Sequence, residues 1–371
     1  MAGLGGRFSR RLLLVCGAAA ARMVAAETKG TEFPPDVKRY ADAATELEVD
    51  RLTAPSYSST LTAWYNRSIT RAGSDLLFCC DRTGSPQAFL MSLKNAGTRQ
   101  LTEAEGLDGG SLALGAGDRG FAFFAGRGLY VSLLATLRER EVYRIAEGWE
   151  RGSGASVDRD GNHAYFIERH ADGARLRSVA LSSGRARTVL EGTFPMSQPI
   201  ARPGRPQVLY RQGEESLWLA DTEGRSNRRL KLAEGRIGPA NWSPDGKTVL
   251  YLNFPSDPTQ LNAIRELVPE GDSDRLVART SQFVHFGFNR DTSVFTGASR
   301  NAASPTVLIL LRVTRRELTL CEHRASHPET VAPMFSPDSQ RLYFQSDRDG
   351  KPALYGLNVE RLVERTETGT L

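Results

Sequence analysis

Cysteine is scarce in this chain, with four in 371 residues and no C-x-x-C pair among them. A thiolate zinc site therefore has no spacing to stand on. Cys16 falls in a leader-like segment, which leaves Cys79, Cys80 and Cys321, an odd number for a compartment that permits disulfides. Cys79 and Cys80 are neighbours in the strand-like run "DLLFCCDR". Their side chains should point to opposite faces, one of them packing in the core as a small hydrophobe. Long apolar runs are missing too. The run Leu12 to Ala21 covers ten residues, too few to span a bilayer, and no later run is longer, so no membrane is expected once a leader is removed.

That first segment has the layout of an export signal. "RFSRR" is a basic start, an apolar run follows, and "VAA" precedes Glu27, which suits a signal peptidase. Arg10-Arg11 before three leucines also suits a twin-arginine signal. Residues 1–26 are accordingly expected to be a signal peptide, with the mature protein exported, periplasmic or secreted. The segment also explains the charge. The formal net charge of +5 includes Arg7, Arg10, Arg11 and Arg22, and falls to +1 without them. A nearly neutral mature chain is a poor match for nucleic acid.

Several catalytic signatures are lacking. No G-x-S-x-G elbow is present, the glycines near Gly126 and Gly128 read as hairpin turns rather than a phosphate cradle, and "SDRDG" lacks the helix pair and closing Glu of an EF-hand. The acids of "GEES" and "EGDSD" read as hairpin-turn composition, so a paired-carboxylate glycosidase is not indicated.

What is present is a repeat. "ANWSPDGKTVLYLN" (240–253) and "PMFSPDSQRLYFQS" (333–346) share a turn that can be followed along the chain through Asp75, Asp118, Asp160, Gly204, Asp245, Asp291 and Asp338. The successive gaps are 43, 42, 44, 41, 46 and 47 residues. A period of 40 to 50 signals a repeat architecture. Each unit holds four short apolar runs, and Asp-Gly supplies the positive-φ turn of a hairpin. Seven such units make an all-β, seven-bladed β-propeller of four-stranded blades. The expected blades are 60–103, 104–147, 148–192, 193–235, 236–280, 281–324 and 325–365. The last lacks a clear fourth strand, which "TELEVDRLT" (45–53) would supply, closing the ring and removing an exposed edge. Residues 27–44 are an N-terminal extension, and 45–371 a single domain.

Small-molecule sites in propellers lie at one mouth of the central channel, just ahead of the first strand of each blade. Trp64, Tyr65, Arg67 and Gln198 are the substrate-binding candidates there, the aromatics being able to stack on a sugar ring. Among the five histidines, His285 and His327 fall near that mouth, and with His323 and Glu329 they are the candidate ligands for a divalent cation. His163 reads as a packing or surface residue and His170 as a solvated turn. No catalytic residue can be assigned.

At this point the residues resemble a known family. "YADAATELEVDRLTAP", "DLLFCCDRTGSPQAFLMSLKNAGTRQLTEAEG", "EGWERGSG" and "LCEHRASHPETVAPMFSPDSQRLYFQSDRDGKPALYGLNV" are similar to the oligogalacturonate lyases, propeller polysaccharide lyases of pectin breakdown. The resemblance implies β-elimination on acidic, pectin-derived oligosaccharides, with a metal (typically Mn²⁺) neutralising the uronate carboxylate. It implies that His285 matches the first metal ligand and that His327 falls where a glutamine ligand is usual. Thr330 and Ala332 occupy the positions of a His-Pro-His pair of ligands. Pro239 stands where the family places its catalytic histidine, Ser216 where an arginine assists, and Gln198 where a His-Pro is usual. The turn motif is shared with the propeller of the Tol system, so the alternative is a non-catalytic exported propeller that binds a protein or peptide.

Overall fold

A computed structural model describes residues 29–257, 259–280 and 282–367; the signal-like segment 1–26 lies outside the described residues. These residues form seven antiparallel sheets arranged in a ring, the seven-bladed propeller that the turn spacing predicts. Within a blade the strands follow chain order outward, as in blade 5: Arg236–Trp242, Val249–Phe254, Ala263–Val268, Ser273–Arg279. The first strand of blade 3 touches those of blades 2 and 4, and the first strand of blade 6 touches those of blades 5 and 7.

The repeated turn has a local cause. In blade 5, Ser243 Oγ donates to Asp245 Oδ1 at 2.7 Å, and the same carboxylate oxygen accepts from the Lys247 amide at 3.0 Å. The Thr248 amide donates to Ser243 Oγ at 3.0 Å. Ser336, Asp338, Gln340 and Arg341 repeat the pattern in blade 7. Such Asx-type bonds satisfy the turn amides within five residues of sequence. The left-handed position that follows is Gly246 in blade 5, at φ 69°. A Cβ there would clash with the Pro203 carbonyl of the preceding blade's turn, so glycine serves both the turn and the packing of turn on turn.

Closure follows the expected route. Glu48–Arg51 is the fourth strand of blade 7, pairing antiparallel with Ala353–Asn358 through Val49↔Leu357, Asp50↔Gly356 and Arg51↔Tyr355. The extension 27–44 also adds strands. Lys38–Ala41 lies outside Glu48–Arg51 as a fifth strand of blade 7, and Glu32–Phe33 pairs with Thr98–Gln100 at the rim of blade 1. The chain therefore fastens both sides of the seam between the first and last blades. A short helix, Glu360–Glu367, follows the last strand, and Val363 on it is buried in the core shared by blades 6 and 7.

The core is not a single mass. Seven apolar clusters each fill the gap between two adjacent blades, including the gap between blades 7 and 1. This is why second strands such as Gly120–Ala125 and Val294–Ser299 are buried along their whole length, because both faces of an inner strand meet a neighbouring sheet. Cys79 and Cys80 show the same logic. They point to opposite faces as expected, and both are buried, Cys79 between blades 1 and 2 and Cys80 between blades 7 and 1.

Candidate functional site

Four consecutive first strands break register at the same height. The ladder to the second strand slips between Arg151 and Ala155 in blade 3, Ser197 and Ile200 in blade 4, Ile237 and Ala240 in blade 5, and Phe283 and His285 in blade 6. A bulge bends the strand and re-aims its side chains. Here the bulges bring Gln198, Pro239 and His285 to the channel mouth, and Pro199 and Pro239 fit because bulged residues need no ladder amide. Gln198 takes a left-handed φ of 49° to do so.

Blade 1 departs furthest. Between Ser59–Thr60 and the bridge at Ile69 its chain crosses the channel. The Leu61 amide donates to Gln345 Oε1 of blade 7 at 2.6 Å, Trp64 Nε1 to the Ala240 carbonyl of blade 5 at 3.2 Å, and Asn66 Nδ2 to the Ala155 carbonyl of blade 3 at 3.0 Å. Gly154, at φ 87°, makes room for this crossing: a Cβ there would lie 2.8 Å from both Gln198 Cα and the Tyr65 hydroxyl.

The crossing and the bulges enclose a cavity of about 740 Å³, lined by Trp64, Gln198, Arg211, Glu214, Arg236, Pro239, His285, Arg300 and Glu329, among others. Its volume lies within the range of sites that hold a small ligand. His285 is 2% exposed, and neither ring nitrogen has a hydrogen-bond partner among the described residues. Burial lowers its pKa to about 4, so the ring is neutral at pH 7. The Trp64 ring meets it edge-on, with centroids 5.2 Å apart at 85°. A buried imidazole with both nitrogens unsatisfied is unfavourable by roughly 1–3 kcal/mol per group, which marks it as a group awaiting a ligand.

Arg211 is engaged in the wall. Its Nε donates to Gln198 Oε1 at 2.7 Å, Nη1 to the Ile237 carbonyl at 3.1 Å, and Nη2 to the Gly238 carbonyl. Burial lowers its pKa to about 10, and the nearby charge of Arg236 acts in the same direction. It thus ties the bulge of blade 4 to that of blade 5. Arg236 lies over the Phe254 ring at 4.1 Å. The guanidiniums of Arg236 and Arg300, both exposed, form no hydrogen bond or ion pair within the described residues.

The predicted site residues separate into two groups. Trp64, Gln198, His285 and Glu329 converge on the cavity. Tyr65 packs beneath it, against the core between blades 4 and 5. Arg67 is placed elsewhere. By that residue the crossing chain has passed through the channel, and its guanidinium pairs with Asp118 and the Gly115 carbonyl beside a separate cavity among the Asp turns. His323 is structural, since one ring nitrogen meets the Ser299 carbonyl at 3.0 Å and the other accepts from the Ala325 amide at 3.0 Å. His327 is exposed and sits 3.5 Å from Glu329 without lining the cavity. Of the positions that the resemblance singled out, Pro239 lines the cavity. Ser216 is engaged with the Gln212 carbonyl and Trp218 Nε1.

Among the described residues no group of three or more His, Cys, Asp or Glu side chains is placed to hold a metal ion. At the mouth the metal-ligating side chains are His285, Glu214 and Glu329, with His327 behind the last, and they do not come together as a group. That set does not fit an oxygen- and nitrogen-ligated divalent cation held by side chains. Sequence reasoning overlooked Arg211, Arg236 and Arg300. The one signal available was a charged residue ending or opening an apolar strand, and it recurs at many harmless positions.

The comparisons with known proteins agree with one another. The oligogalacturonate lyase family model matches residues 27–165. The oligogalacturonide lyase of Pectobacterium atrosepticum is 27% identical, and the oligogalacturonate lyase of Dickeya dadantii 24% identical, each over 88% of this chain and 97% of the relative. A solved oligogalacturonate lyase in complex with manganese matches with a TM-score of 0.84 at 25% identity, over 89% of this chain and 98% of that one. In sequence along most of its length, and in fold, this chain is similar to oligogalacturonate lyases.

Proposed function

We propose that the protein has a pectin-related, lyase-like function, binding acidic uronate oligosaccharides in the mouth cavity. The observation that carries this reading is the pairing of an unsatisfied, neutral imidazole with two unengaged guanidiniums in one cavity of about 740 Å³. A uronate supplies what each lacks. Its carboxylate accepts charge-assisted, bidentate hydrogen bonds from arginine, its hydroxyls both donate to and accept from a neutral imidazole, and Trp64 offers an aromatic edge. The curated relatives are both lyases, which favours this over a peptide ligand.

The reaction proposed is β-elimination, with removal of the proton beside the uronate carboxylate. A carbon–carbon double bond forms as the bond from the β carbon to the glycosidic oxygen breaks, and the leaving oxygen takes a proton from solvent. His285 is the imidazole available to accept the carbon-bound proton, and its lowered pKa makes it a weak base. Pro239 stands where the resemblance puts the dedicated base, so turnover is expected to fall about 10²- to 10⁴-fold below that of a site with a matched general base. The test is titration calorimetry with digalacturonate, paired with absorbance of the unsaturated product. Binding with slow product formation is expected. Absence of any heat or thermal shift with galacturonates would remove the reading. We also propose, from the composition of residues 1–26, that the chain works outside the cytoplasm; fractionation with N-terminal sequencing checks this.

A further inference from the structure

A solved neighbour of this fold is a manganese complex, whereas the mouth residues here do not make a metal-ligand set. We infer that in this chain the guanidiniums of Arg236 and Arg300 neutralise the substrate carboxylate in place of a divalent cation. The inference rests on the uronate-binding reading above and names how that site recognises the acid.

Charge and placement carry it. Two guanidiniums bring the same formal charge as one divalent ion, and they stand on different blades. Arg236 opens the first strand of blade 5, and Arg300 follows the second strand of blade 6. His285, on the first strand of blade 6, lines the cavity with them. Arg211 is unavailable for the task, since all its nitrogens already donate to Gln198 or to main-chain carbonyls. Arg236 and Arg300 differ in having no such partner. Arg236 is held only by its stacking on Phe254, which leaves the edges of its guanidinium plane free to donate. The donor set points the same way. His323 has both nitrogens bonded within the fold, and His327 is exposed and beside Glu329 rather than in the cavity. Glu329 then has a sign that separates the two designs. In a metal site it is a ligand whose loss weakens binding. In an arginine site it is a like charge beside the incoming carboxylate, and its loss tightens binding.

The experiment is calorimetric titration of digalacturonate into the full chain after dialysis against EDTA, repeated with Mn²⁺ restored. We expect the same Kd, within about twofold, in both conditions. Arg236→Ala and Arg300→Ala should each weaken binding about tenfold or more, the scale of one charge-assisted hydrogen bond. Arg236→Lys should recover only part of the loss, because it keeps the charge and lacks the fork. Glu329→Gln should bind at least as tightly as the parent. Arg236, Arg300 and Glu329 are all exposed, so folding is expected to survive each change, and a melting curve checks that. Binding that appears only with Mn²⁺, or that weakens in Glu329→Gln, overturns this inference and leaves the uronate reading standing. Binding in neither condition overturns the uronate reading itself.

Discussion

Replacing His285 tests the electrostatics of the cavity directly. A buried imidazole that stays neutral in the folded state must lose stability in acid, because the unfolded chain takes up a proton that the folded chain refuses. The sign follows from linkage: the folded pKa, about 4, lies below the ordinary value near 6.5. Between those two values the unfolded state binds more protons, so stability falls as pH drops through that window. Each unit of the gap is worth 1.36 kcal/mol, which makes the penalty about 3 kcal/mol at pH 4. Carboxylates held by arginines also contribute to acid unfolding, so the measurement must be differential. Urea unfolding of the parent and of His285→Leu, from pH 7 to 4, isolates the term. At pH 7 the variant should be at least as stable as the parent, since leucine removes two unsatisfied polar atoms that each cost about 1–3 kcal/mol. On the way to pH 4 the parent should lose about 3 kcal/mol more than the variant. Parallel curves, or an imidazole resonance of His285 titrating near 6.5, would refute the reasoning that places this ring buried and unpartnered.

Other predictions follow from the same geometry. Val49→Ala, in the strand that closes the ring, removes a fully buried side chain from the core shared by blades 6 and 7. It should cost about 2 kcal/mol in urea unfolding; a neutral result would mean that the closing strand contributes little. Gly154→Ala meets both a left-handed φ and the close approach of Gln198 and Tyr65. A destabilisation of about 1–3 kcal/mol together with weaker digalacturonate binding is expected, and a change in neither would separate Gly154 from the site. Cys79, Cys80 and Cys321 are free and buried, and burial pushes the Cys79 thiol up to about 12. A thiol-labelling reagent should therefore react with them only on unfolding, so rapid labelling of the native protein would contradict the packing.

Much of the fold is legible from sequence because its defining bonds are local. Ser243 and Thr248 are five residues apart and close one turn by themselves, and an Asp or Gly recurs at the turn of each repeat, so spacing alone counts the blades. The absence of a fourth strand in the last unit points directly to residues 45–53 as the closing strand. Local signals also separate Cys79 from Cys80, since a strand must send neighbours to opposite faces.

The cavity is another matter. Its parts come from blades 1, 4, 5, 6 and the loop before blade 7, and bulges decide which side chains enter it. One extra residue in a strand reverses the face that every later side chain presents, and no short pattern records where that residue sits. Hence His285 could be placed near the mouth from its position before blade 6, while its buried and unpartnered state could not be read. Arg67 shows the reverse error. Its position beside Trp64 suggested the same mouth, yet the chain crosses the whole channel between them. Composition and period determined the ring; the path of one crossing segment and the height of four bulges, set by contacts between residues far apart in sequence, decided which charges face the channel mouth.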